Sequence, residues 1–453
     1  MPSARSLRPV GSLRSALAVY TRPRVVAMLF LGFSAGLPLL LVGGTFTAWL
    51  RDIGVELAAI GFLSWVGMAH SIKVFWAPLV DRLPLPLLTP LLGRRRAWML
   101  AAQVVVAIGL AGMALTDPVA QLALVAVWAV LAAFGSATQD IAVDAWRVEA
   151  AEAEQQGAMA ATYVTGYRLA ILMAGAGALH IADLGNWSGA YAAMAALMLV
   201  GMATTLWVRE PATPALAGAG EREAGGRRAG RRERLRRWLV EAVIHPLTDF
   251  FRRYGRAALL VLLFVGLFRI SDIFMGVMAN PFYLDLGFSK GEIANVASVF
   301  GLIMTLTGAA AGGVLVLRFG LARMLIGTAL MAPLTNLAFS WLAWLGPELP
   351  GLVVAIMADN ITGGMAIAVF LAYLASLTNT RYTATQYALF SSLMTLPGQF
   401  LGGFTGVVAD GVGWFWFFVS TAFIGVPAVV LAILLLRVAH PDRPRTGDVD
   451  RPG

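Results

Sequence analysis

Residues 120–144 read AQLALVAVWAVLAAFGSATQDIAVD, an apolar run whose far end carries Gln139, Asp140 and Asp144. The run is too long and too uniformly apolar for a barrel strand, and a helix is the form that satisfies its own backbone in lipid. A charged side chain near the bilayer centre costs about 2.5–3.5 kcal/mol on insertion scales. Two carboxylates and an amide persist there only against other helices or a wet cavity, and they often mark the path of an ion or substrate. The stretch therefore predicts one helix of a membrane protein that moves something.

Composition agrees with that reading. Hydrophobic residues make up 59% of the 453 residues and charged residues 13%, with a mean hydropathy of +0.76. A soluble domain carries about 25% charged residues. The length accommodates about twelve spans of about 20 residues with their loops. They are expected near 25–50, 58–80, 97–116, 120–144, 158–181 and 189–208, then near 257–279, 292–316, 322–344, 351–376, 386–409 and 415–437. The fold expected is all-α and polytopic: twelve transmembrane helices in two six-helix pseudo-repeats.

The expected organisation is a cytoplasmic tail (1–24), an N-terminal bundle (25–208), an Arg-rich linker (209–256), a C-terminal bundle (257–437) and a second tail (438–453). Residues 231–251 have the pattern of an interfacial amphipathic helix. The halves echo each other. Gln156 opens span 5, which runs to Asp183 with Trp187 beyond; Gln386 opens span 11, which runs to Asp410 with Trp414 beyond. Two parallel repeats around a midplane site are a construction of alternating-access carriers.

The net charge of +9 is unevenly placed. Arginines cluster before span 1, after spans 2 and 4, in the central linker and in later alternate loops, whereas the other loops hold chiefly Arg51 and Lys290. This is the positive-inside pattern, and it puts both termini and the linker in the cytoplasm. It argues against nucleic acid as a partner. There is no cysteine, and the four histidines are scattered, so disulfides and thiolate metal sites are excluded and no cofactor is expected. No nucleophile–base set or nucleotide loop is present, so an enzyme is not expected. The partners expected are substrate, protons and lipid, with the protein acting as a monomer.

The candidate site residues are the charged and polar side chains inside spans. Asp140 and Asp144 are four residues apart on one helix face. Arg168 in span 5, beside Tyr167, needs an anion, and Asp140 or Asp144 is within its choice; the pair reads either as functional or as structural. Asp144 reads rather as part of a cytoplasmic helix end. In span 7, Arg269 and Asp272 can pair at i,i+3. Desolvation and a nearby arginine act oppositely on a carboxyl group, so its proton loading can follow whether the pair is made. Asp272 is the first choice for proton coupling and Asp359 in span 10 the second. Lys73 either snorkels to the interface or contacts an anionic substrate. Trp49, Trp65, Trp76, Trp187, Trp414 and Trp416 lie near span ends and fit interfacial belts.

Asp81, Arg82, Gly93, Arg94, Arg95 and Arg96 form a loop that resembles the cytoplasmic motif of the major facilitator superfamily, with Ala77 in place of the usual Gly and a longer spacing. Asp81, Arg82, Arg94, Arg95 and Asp144 are the residues of an expected cytoplasmic latch; plain topogenic charge is the alternative. A narrower resemblance joins Leu31-Gly32-Phe33-Ser34-Ala35-Gly36-Leu37-Pro38, Phe75 to Arg82, Ser136 to Trp146, Gly166-Tyr167-Arg168-Leu169, Pro246 to Phe251, Gly363-Gly364-Met365 and Ala384 to Leu389. Together they resemble the AmpG-type muropeptide permeases over roughly residues 20–437. The resemblance implies proton-driven import of N-acetylglucosaminyl-1,6-anhydro-N-acetylmuramyl peptides for cell-wall recycling. It places Gly32 to Gly36, Ala137, Gln139, Asp140, Tyr167 and Arg168 in functional stretches. Two alternatives stand beside it: another facilitator, for drug efflux or acyl-CoA-type anions, and a membrane receptor or assembly factor that transports nothing.

Overall fold

The structure is a computed structural model and describes residues 18–150, 155–211, 245–255, 257–377 and 383–438. Every regular element among these residues is helical. Ten helices are long and apolar enough to cross a membrane: Pro23–Asp52, Arg94–Leu115, Leu122–Ala150, Gln156–Leu184, Trp187–Trp207, Ala257–Leu286, Lys290–Phe319, Leu321–Leu345, Leu349–Leu377 and Thr405–Leu435. Two further segments fill the remaining places. Span 2 is broken into Leu57–Leu63, Met68–Ile72 and Ala77–Arg82, with tight 3-10 turns at Ser64–Gly67 and Lys73–Phe75. Span 11 opens as Thr383–Gly402, and Gly413, at φ +75°, separates the last span from what precedes it. The order is compatible with twelve crossings.

Several boundaries differ from the expected ones. Span 4 stays helical through Ala150, well past 144, because residues 145–150 hold no glycine or proline to stop it. Of the linker, His245–Tyr254 is a helix, with Phe250 buried between the rings of Tyr254 and Phe390 at 4.8 and 5.2 Å. The amphipathic helix expected over 231–251 lies outside the described residues up to 244, as do residues 1–17 and 439–453 of the tails. Trp49 and Trp187 are buried; they belong to the packed interior and not to a belt. Trp416 is exposed, as a belt residue should be.

The outside of the molecule is apolar and its interior holds amides. Leu317 is 89% exposed, while Gln103, Gln139 and Asn336 are fully buried. That inversion suits lipid as the solvent, where an amide is cheap only inside the bundle with partners.

The helices pack into two compact units, Met1–Val42 with Lys73–Leu216, and Gly43–Ile72 with Ala217–Gly453. In the first unit, span 1 lies against span 5 at backbone distance. A Cβ at Gly32 would strike the carbonyl of Tyr163, one at Gly36 the carbonyl of Tyr167, and one at Gly166 the carbonyl of Leu29. Helices approach this closely only where side chains are missing. In the second unit, spans 8 and 10 repeat the device. Gly308 faces the carbonyl of Ile361 and Gly364 that of Thr305. The aromatic core beside them includes Phe268 stacked on Phe370 at 4.2 Å.

Candidate functional site

Span 4 delivers its polar residues to different places. Gln139 is fully buried, and its Nε2 donates to Ser34 Oγ in span 1 at 3.0 Å. It ties span 4 to the glycine-lined helix that lies against span 5. One residue on, Asp140 turns to span 2, and its Oδ2 accepts from Lys73 Nζ at 3.1 Å. The pair is partly open, with side-chain exposures of 34% for Lys73 and 13% for Asp140. Asp140 Oδ1 is buried and receives no hydrogen bond. Tyr163, Tyr167 and Asp144 all sit within the field of Asp140.

The partner of Asp140 is therefore Lys73, and not Arg168. The 3-10 turn Lys73–Phe75 breaks span 2 where Lys73 must reach span 4, and helical periodicity does not reveal such a turn. Arg168 is half-buried beside Tyr167 and has no hydrogen bond or ion pair among the described residues. Asp144 pairs with Arg147 of its own helix at 3.1 Å.

The second unit carries another acid–base group. Arg269 is the N-cap of the helix Ile270–Leu286 in span 7, and Asp272 lies in that helix's first turn. Arg269 Nε and Asp272 Oδ2 are 3.3 Å apart, with side chains 21% and 16% exposed. Yet Arg269 Nε makes no hydrogen bond, so the contact is an ion pair without a shared proton line. Asp359 interacts electrostatically with Arg269, Asp272 and Tyr283. One guanidinium thus stands among two carboxylates. Beside Asp359, Asn360 accepts from Thr305 Oγ1 at 2.8 Å, which fixes span 10 on span 8.

The Arg-rich loop of the first half forms a cluster within the first unit. Arg95 is buried and donates to Asp81 Oδ1 at 2.6 Å and to Glu149 at 3.0 Å. Glu210 accepts from the backbone N–H groups of Arg95 and Arg96 at 2.8 and 3.0 Å, capping span 3. Its side chain lies where a Cβ of Gly93 would be, and Gly93 has φ +87°; both facts call for glycine. Arg94 makes no bond among the described residues, and the side chain of Arg82 lies outside them. Asp144 stands apart from this cluster. Glu149, five residues on, takes the place expected for it, and an end of span 4 placed at 144 hides it. The helical extension to Ala150 is what brings Glu149 to Arg95.

A second set of bonds joins span ends within the second unit. Arg51 grips Asp285 with two parallel bonds, Nη2 to Oδ2 being 2.8 Å, and Trp414 Nε1 donates to the same Oδ2 at 3.0 Å. Lys290 pairs with Asp52 at 3.0 Å. Asp410 accepts from the N–H of Ala58 at 3.1 Å, at the start of span 2. A Cβ at Gly406 would strike the Leu57 carbonyl, and Trp65 stacks on Phe400 at 5.8 Å. Sequence reading treats Arg51 and Lys290 as exceptions to the charge rule. The legible signal is that each is matched by an acid at another span end. Asp285→Ala removes the forked bond and orphans Trp414 Nε1. Both charged partners are partly solvated, so the expected cost is about 1–3 kcal/mol. The variant should melt about 1–3 °C below wild type in detergent, at about 1 °C per kcal/mol for a chain of this length; an unchanged midpoint would show that the fork carries no net stability.

A model of the Major Facilitator Superfamily matches residues 25–271 and 259–452. Among curated proteins, the chain is 36% identical over 421 residues to a protein of Escherichia coli strain K12 named anhydromuropeptide permease, covering 92% of this chain and 81% of that one. It is 34% identical to a protein of Rickettsia conorii named putative transporter AmpG 4, covering 91% and 96%. Among solved structures, it resembles a bacterial homologue of the human lysosomal transporter Spinster, inward-facing and unoccupied, with TM-score 0.69 at 15% identity over 96% of this chain and all of that one. A D-xylose–proton symporter matches with TM-score 0.63 at 15% identity over 92% and 97%. At such identities the structures speak for the fold alone.

Proposed function

We propose that this chain, which belongs to the AmpG-type permeases of the major facilitator superfamily, imports peptidoglycan fragments of the anhydromuropeptide class, driven by protons. The direction is periplasm to cytoplasm across the inner membrane, with both termini cytoplasmic, by alternating access. The observation that carries the substrate class is the 36% identity along 92% of the chain to a protein named anhydromuropeptide permease.

The chemistry of the two half-buried groups suits such a cargo. A disaccharide-peptide is large, polar and net anionic. Arg168, unbonded among the described residues, offers guanidinium donors to a carboxylate. Lys73 can exchange Asp140 for a substrate anion, since the pair is partly open. In the second unit, Arg269 balances one carboxylate of the Asp272–Asp359 couple, leaving the other for a proton. Gln139 and Tyr167 are assigned to positioning, through Ser34 and the close helix contact. Asp81, Arg95 and Glu149 are assigned to the cytoplasmic latch.

The test is uptake of labelled anhydromuropeptide into proteoliposomes, with and without an inward proton gradient. The expected result is accumulation that rises with the gradient and collapses with a protonophore. Gradient-independent equilibration would keep the cargo and remove the coupling. Folded protein that takes up no label would sink the substrate assignment.

A further inference from the structure

At the ends of spans 1, 5 and 6 the first unit has a cleft of about 490 Å³, lined by Arg22, Pro23, Arg24, Gln155, Trp207 and Arg209 among others. Nothing in the transport reading uses it. Three arginines line this one cavity. Arg24 spends one donor on the Ala150 carbonyl, at 2.9 Å, and makes no other bond among the described residues. The side chain of Arg209 makes no bond among the described residues, while its backbone carbonyl is held by Trp146 Nε1 at 3.2 Å. Spans 1 and 5 both start here, at Pro23 and Gln156. Neither has a side-chain cap or an acidic residue in its first turn, so their positive ends add to the field.

The described carboxylates of this end are engaged elsewhere: Asp81 and Glu149 by Arg95, and Glu210 by the N-terminus of span 3. The surroundings are those of a lipid boundary. Trp207, at the last turn of span 6, is 56% exposed, and its neighbour Leu206 is also exposed. An amphipathic ring beside arginines at a span end is the arrangement found at headgroup level. Arginine forks match phosphate oxygens in pairs.

We propose that this cleft holds a phosphate group, presented by the headgroup of an acidic phospholipid in the leaflet next to the Arg-rich loops. Trp207 seats the glycerol region, and Arg24 and Arg209 hold the phosphate with Arg22 beside them. The inference rests on the membrane fold and not on the cargo, so failed muropeptide uptake leaves it standing.

The experiment is native mass spectrometry of the full chain in neutral detergent, titrated with phosphatidylglycerol, phosphatidylcholine or inorganic phosphate. Wild type should retain phosphatidylglycerol at least tenfold better than phosphatidylcholine. Arg24→Gln/Arg209→Gln should lose that lipid about tenfold, while Arg318→Gln/Arg323→Gln, which removes equal charge from exposed sites elsewhere, should not. Should the first double variant not be recovered, Arg209→Gln alone carries the comparison, with an expected threefold loss. Equal losses in both double variants would overturn the site. Retention of phosphatidylcholine equal to that of phosphatidylglycerol, or binding of inorganic phosphate with no retention of phosphatidylglycerol, would overturn the lipid assignment.

Discussion

Asp272→Asn is expected to abolish gradient-driven accumulation of labelled muropeptide in proteoliposomes while leaving exchange of labelled for unlabelled cargo. An asparagine keeps the size and the hydrogen-bonding oxygen but can neither lose a proton nor balance Arg269. The Arg269–Asp272 contact of 3.3 Å lacks hydrogen-bond geometry, so the pair can open without loss of a directed bond. Asp359 stands in the same field and offers Arg269 a second partner. The magnitude follows from the driving force. Each proton entering down 100 mV contributes about 2.3 kcal/mol, which is about fiftyfold in accumulation. Asp272→Asn should therefore lower steady-state accumulation by more than tenfold toward simple equilibration. Asp359→Asn should reduce it too, by weakening the second partner. If both variants still concentrate cargo like wild type, the coupling group lies elsewhere, and Asp140 with its unbonded Oδ1 is next.

The membrane class and the helical repeat were legible in the sequence because they rest on additive quantities. A run such as Leu122 to Ala137 is apolar whatever it touches, and loop arginines count wherever they sit. Pairings were less legible, because they depend on local breaks in helical periodicity. Arg269 and Asp272 were found, since three residues apart within one segment is a fixed geometry. Lys73 and Asp140 were singled out but not paired, because the 3-10 turn at Lys73–Phe75 resets the face of span 2. Glu149, the partner of Arg95, is not legible where span 4 is read as ending at 144, because the helix runs on to Ala150.

The motif residues divide along the same line. Gly32, Gly36 and Gly166 are explained by the helix crossing they permit, and Gly93 by its positive φ and the carboxylate of Glu210 beside it. Gln139 is explained by Ser34. These are scaffold tasks. What remains after them is Asp140, Arg168 and Lys73 in one unit, and Arg269, Asp272 and Asp359 in the other. A family fingerprint mixes both kinds of residue, and only coordinates separate those that hold helices from those left with open valence.

Gly166→Leu should leave little folded protein. Its Cβ would overlap the Leu29 carbonyl and crowd the N–H of Phe33 at 2.9 Å. Backbone, unlike a flexible side chain, cannot swing aside. Relief requires spans 1 and 5 to part, which also breaks the contacts at Gly32 and Gly36. Overpacking a well-packed core costs about 1–3 kcal/mol where side chains can adjust, so the expected cost here is above about 3 kcal/mol. By the usual size scaling a chain of 453 residues loses about 1 °C per kcal/mol, so the melting midpoint falls by about 3 °C or more. Gly157→Leu is the matched control in the same span, since nothing lies within 4 Å of its Cβ, and it should fold. Size-exclusion profiles and thermal melts in detergent would distinguish the two. If Gly166→Leu behaves as Gly157→Leu does, spans 1 and 5 are not in backbone contact. The placement of Tyr167 in the field of Asp140 would then fail as well, because that crossing is what sets span 5 against the rest of the unit.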